Sequence, residues 1–222
     1  MQKPSIVFAT IFALAFSAIS AVAQGAYKVE SAGAPSGAAA ALQSLLEAQG
    51  SKLTDAQGNV VAEIWLRKAI PMSTAAAGSG DVIYGGLGVG ELVAVLNFPT
   101  GFSDFRGQKI KPGYYTARYA QIPQDGNHMG VSNYRDFLLM TPLASDPQPA
   151  QAVTLDALLK MSRLASGSNH PAILMLDPAS TSAAANSTFA DDQGNTALQV
   201  KLNGSSGAGT PFAIVLVGQY QG

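Results

Sequence analysis

Seven short runs of apolar and β-branched residues, each closed by glycine, proline, asparagine or aspartate, constrain this chain more than anything else in it. They span 60–67, 91–98, 113–122, 134–140, 172–176, 196–202 and 211–220. In the first, Val60, Ala62, Ile64 and Leu66 alternate with Val61, Glu63, Trp65 and Arg67, the period-two pattern of a strand with one drier face. Leu198, Val200 and Leu202 alternate with Gln199 and Lys201 in the same way. The run at 91–98 is apolar nearly throughout and reads as a central strand. Only two segments carry helical periodicity. One is 38–49, with Leu42, Leu45 and Leu46 on one stripe and Gly50 as a stop; the other is 154–166, with Thr154 as a cap and Leu155, Leu158 and Leu159 on one face. A parallel sheet needs a crossover helix between strands, and two helices cannot supply that number. The expected fold is therefore mainly β: an antiparallel β-sandwich, jelly-roll or immunoglobulin-like, with two short helices.

The first residues have another purpose. Lys3 precedes an apolar stretch from Ile6 to Ile19, and Ala21-Val22-Ala23 forms a small-x-small cleavage signature. This predicts a secretory signal peptide over 1–23 and a periplasmic or secreted mature chain. A flexible leader over 24–36 and one β-sandwich domain over 37–222 follow. The apolar stretch is too short for an ordinary membrane span, which takes about 20 residues, and no second run reaches that length. The chain has no cysteine, so an exported domain of this size must rest on its core rather than on disulfides. A formal net charge of −1 with no basic patch excludes a nucleic-acid surface.

Polar chemistry concentrates in one window. Residues 104–136 hold three of the five arginines, four of the seven tyrosines and one of the two histidines. Within it, Pro112-Gly113 starts a strand on which Tyr114, Thr116 and Arg118 share one face, and Tyr115, Ala117 and Tyr119 the other. Tyr114, Arg118, Arg135, Asp136 and His128 form a candidate ligand site, where an aromatic row stacks on a sugar or the guanidinium fork takes a carboxylate. The competing reading pairs Arg118 with Asp104 or Asp136 to fasten strands.

A metal site is the alternative use of these residues. His128 follows the Asp125-Gly126 turn, and His170 lies at the next comparable strand end. Two histidines and one carboxylate, Asp125 or Asp136, make an accepted zinc or iron set. Met129 and Met161 would admit copper. Otherwise no cofactor is expected. The glycine-rich stretch at 85–90 precedes a strand rather than a helix, which removes the phosphate-loop reading. There is no G-x-S-x-G elbow and no paired-acid constellation, so the chain leans away from an enzyme.

The segments "EIWLRKAIP", "DFRGQKIKPG", "IKPGYYTARYAQIP" and "DGNHMGVSNYRDFLL" resemble uncharacterised exported bacterial proteins over roughly 60–142. The resemblance implies a bacterial, extracytoplasmic, β-rich protein and no activity. The expectation is a non-enzymatic module that binds a small molecule, a glycan or a protein, with a purely structural domain as the other outcome.

Overall fold

The computed structural model describes residues 27–73, 80–123, 132–207 and 209–218. Residues 1–23 (expected as a signal peptide), Asp125, His128 and Met129, and the end of the last run lie outside the described residues. The strands are β1 Lys28–Ala32, β2 Gly50–Thr54, β3 Val60–Leu66, β4 Leu92–Phe98, β5 Phe102–Ser103, β6 Lys109–Ile110, β7 Gly113–Gln121, β8 Asp136–Pro142, β9 Ile173–Asp177, β10 Ser187–Ala190, β11 Thr196–Asn203 and β12 Gly209–Val217. Ten of them form one sheet in the order β1-β2-β3-β4-β7-β8-β9-β12-β11-β10, while β5 and β6 pair separately. Every neighbour in the large sheet is antiparallel.

The sheet curls until β1 lies beside β10, without a ladder between them among the described residues. The shape is a nearly closed barrel. The mainly antiparallel β expectation holds, but the strand pairing does not give two stacked sheets. Period-two alternation marks an inner and an outer face, and a curled sheet satisfies that pattern as well as a sandwich does.

The inner face is the main core. Ala62 and Ile64 of β3, Leu96 and Phe98 of β4, Tyr115 and Tyr119 of β7, Leu138 and Met140 of β8, Leu198 and Val200 of β11, and Phe212 and Ile214 of β12 all turn inward. Tyr84 and Leu87, from the segment before β4, are buried in the same core, with Tyr84 tilted on Phe212 at 4.4 Å between ring centroids.

Two patches of the outer face are covered. Helix α2, Leu155–Ser166, lays Leu155, Leu158 and Leu159 over Phe137, Leu139, Ile173 and Met175. It starts where expected, because Thr154 Oγ1 accepts from the Ala157 N–H, and it stops at Gly167 in the left-handed region. The second patch is Leu42 and Leu46 on Trp65, Leu92 and Val95.

The other helix expectation fails. Only Ala40–Gln43 is helical (α1). Its N-cap, Ala39, makes no side-chain cap bond and no acid occupies its first turn, so little holds the turn locally. Leu46 instead bridges to Arg67 at the sheet. The leucine stripe is buried as expected, by tertiary contact rather than by helical propagation. Lys28–Ala32, within the expected leader, pairs with β2 as a strand.

One turn recurs three times, at Asp55–Asn59, Asp104–Gln108 and Asp191–Asn195. In each, one aspartate oxygen accepts two backbone N–H groups and the other accepts the side-chain amide four residues on. The glycine before that amide has φ of 83°, 78° and 82° respectively, a conformation in which glycine carries no steric penalty.

Candidate functional site

The polar window is four separate constructions. Arg118 projects from the outer face of β7, yet it is 0 % exposed because residues 146–151 fold over it. Its Nε and one terminal nitrogen grip the two oxygens of Asp146 at 2.8 and 2.9 Å. The remaining donors reach the carbonyls of Gly90, Gln151 and Gln148. All five guanidinium N–H groups are thus spent. The partner is Asp146, not Asp104 or Asp136. Thr116 Oγ1 donates to the same carboxylate at 2.7 Å.

Asp136, also 0 % exposed, accepts from the backbone N–H groups of Ile83 and Tyr84 at 2.8 Å each and from the Tyr119 hydroxyl at 2.6 Å. It pins the segment before β4 to the barrel. Tyr114 stacks on Trp65, 6.1 Å between centroids. Arg135 donates through Nε to the Ile122 carbonyl at 2.8 Å and stands 4.0 Å from Asp81. Arg118 and Asp136 therefore offer a ligand no surface and no spare hydrogen bond, and the four described members of the expected ligand row do not converge on one opening. His128 and Asp125 lie outside the described residues. His170 is exposed, and among the described residues no three His, Asp or Glu side chains gather as a metal set.

One opening that the fold does build lies elsewhere. A cleft of about 400 Å³ lies against the outer face of β9, β12 and β10. Its apolar wall comes from Phe105, Met175, Phe189 and Val215, which also belong to the outer core patch. Ser132, Asn133 and Tyr134 line it from the polar window, and three carboxylates, Asp177, Asp191 and Asp192, complete it. Among the described residues of the lining there is no lysine, arginine or histidine.

The three acids differ in what holds them. Asp191 is the first residue of the recurrent turn, and both its oxygens accept from Gln193 and Asn195. Asp177 ends β9, and its Oδ2 is buried with no hydrogen-bond donor. Burial pushes the Asp177 carboxyl up to about 7, and hydrogen bonding to Asp191 and the charges of Asp191 and Asp192 push the same way. Asp177 therefore keeps its proton well above the usual carboxylate range, and near neutrality both of its forms are present.

That arrangement has a consequence for stability. The folded-state value lies above the ordinary 3.8, so the native state holds a proton that the unfolded chain has released between those values. Stability falls as pH rises from about 4 to about 7 and levels off beyond. Solvent reaches the half-buried group, so the expected loss is about 1 kcal/mol. Thermal melts across this range should show the decline, and Asp177→Asn should flatten it. A variant that keeps the wild-type slope would place the proton elsewhere.

Comparison with family models, with curated proteins and with solved structures found no match to this chain. The cleft's main residues escaped sequence reading. Asp177 looked like the end of an apolar run, and Phe189 and the two adjacent aspartates followed a low-complexity stretch. The doubled acid in "FADDQGN" was the one available signal.

Proposed function

We propose that this chain is a non-enzymatic binding module of an exported bacterial protein, and that the acidic cleft seats a small organic cation. The observation that carries the reading is the lining itself: three carboxylates facing an aromatic and aliphatic wall, with no basic side chain among the described residues. An ammonium or guanidinium group would take the place of the proton on Asp177, while its hydrocarbon part covers Phe105, Phe189 and Met175. Aromatic faces add to the attraction for a cation. Export is supported by the signal-peptide pattern of 1–23. Among the described residues no helix is long and apolar enough to cross a membrane.

Calorimetric titration with phenethylamine, phenethyl alcohol and phenylacetate tests this. The amine should bind saturably and the carboxylate should not. Because a cation favours ionised Asp177, affinity for the amine should rise about tenfold from pH 5 to pH 8, the equivalent of one added charge contact. Asp192→Asn should weaken it without loss of fold, since Asp192 is on the cleft and holds no turn. Equal affinity for all three probes, or none for the amine, would refute the reading.

A further inference from the structure

The ladder beside β11 stops half-way. β10 pairs residues 187–190 with 199–196, so residues 200–203 of β11 have no β10 partner, although β12 follows them to the end on the other side. The Gln199 carbonyl accepts from the Asn186 N–H at 2.7 Å, and the Asn203 carbonyl from the Ile70 N–H at 2.9 Å. Strand alternation turns the N–H and C=O of the residue between, Lys201, toward the same side. Its opposite neighbour on β12 is Pro211, which has no N–H to give. Facing this half-edge is β1, the terminal strand at the other end of the sheet.

Between the two lies a space of about 640 Å³, lined by Val29 and Glu30 of β1, Ile64 and Leu66 of β3, Glu47, and Lys201. One strand residue fills about 3.3 Å of length, 4.8 Å of width and 10 Å of thickness, or about 160 Å³. The space therefore has the volume of about four strand residues, which is also the length by which β10 falls short of β11.

We propose that this gap is a docking slot for an extended peptide segment of a partner, which completes the sheet by pairing with the backbone of Lys201 on one side and the free edge of β1 on the other. Strand addition of this kind takes affinity from main-chain bonds and selectivity from alternate side chains. Val29, Ile64 and Leu66 call for apolar side chains at every second position. Of the charged residues in the described lining, Glu30 is already paired with Lys52 at 2.8 Å, which leaves Glu47 against Lys201, so the segment that fits is uncharged. The site is separate from the acidic cleft and does not depend on what that cleft binds.

Amide hydrogen exchange on the full chain tests the slot, with acetyl-Val-Thr-Val-Thr-amide as the probe and acetyl-Val-Pro-Val-Pro-amide as the control that lacks proline N–H groups. The Lys201 amide should exchange readily in the protein alone, slow at least tenfold with the threonine peptide at millimolar concentration, and stay unchanged with the proline peptide. Equal slowing by both peptides, or by neither, would overturn the proposal. So would a Lys201 amide already protected without peptide. Protection that grows with protein concentration would assign the slot to a second copy, and concentration-independent protection would assign it to the chain itself.

Discussion

Arg118→Ala lowers the stability of the fold by about 3–5 kcal/mol, the cost of leaving a buried carboxylate without its cation. Asp146 is 4 % exposed, so removing the guanidinium leaves a charge that water cannot reach. Three backbone carbonyls lose their donors at the same time. Those carbonyls belong to Gly90, Gln148 and Gln151, so the variant also frees the segment that folds over β7. Arg118→Lys keeps the charge but offers three donors to five acceptor contacts, and it should recover only part of the loss. Urea unfolding of both variants beside the wild type measures the difference. An alanine variant as stable as the wild type would show that the enclosure of Arg118 is not bracing.

Asp136→Ala should cost a similar amount, about 3–5 kcal/mol, by a different route. No cation is paired with this carboxylate among the described residues; it is satisfied by two backbone N–H groups and a tyrosine hydroxyl. Each buried donor left unmet costs about 1–3 kcal/mol, and three are stranded together. The damage centres on the segment before β4, whose Tyr84 hydroxyl in turn donates to the Asp177 carbonyl and accepts from the Ala213 N–H. Asp136→Asn retains one acceptor oxygen and adds a donor facing other donors, so it should fall between alanine and wild type. Exchange of the Ile83 and Tyr84 amides should speed up in both variants. Unaltered exchange there would mean that the carboxylate does not hold them.

Much of the sheet was legible because a strand with one buried face must alternate. β3, β7 and β11 stand where their alternation put them, β4 stands where its nearly unbroken apolar run put it, and the division of β7 into a Tyr115–Ala117–Tyr119 face and a Tyr114–Thr116–Arg118 face is the one found. Helix α2 was legible because its cap, its leucine face and its terminal glycine agree. The helix expected over 38–49 failed because its leucine stripe served tertiary contacts instead, with no cap to sustain the turn.

Long-range partners were not legible. Asp146 is 28 residues beyond Arg118 in sequence, in a proline-containing stretch that reads as a turn. Asp177 and Asp191 line one cleft although β12 and β11 lie between β9 and β10 in the sheet order, which no local pattern encodes. The concentration of arginine and tyrosine in 104–136 is real, but its best-buried members serve the framework, while Phe105 and Ser132–Tyr134 are its described members that line the cleft.

The most direct measurement is the titration of the Asp177 side-chain carboxyl, followed by carbon NMR with and without phenethylamine. The expected midpoint in the free protein is about 7, and a bound cation should lower it by about one unit, the linked counterpart of a tenfold gain in affinity. A midpoint in the ordinary carboxylate range, or one that the amine does not move, would contradict the assignment of the cleft as the ligand seat.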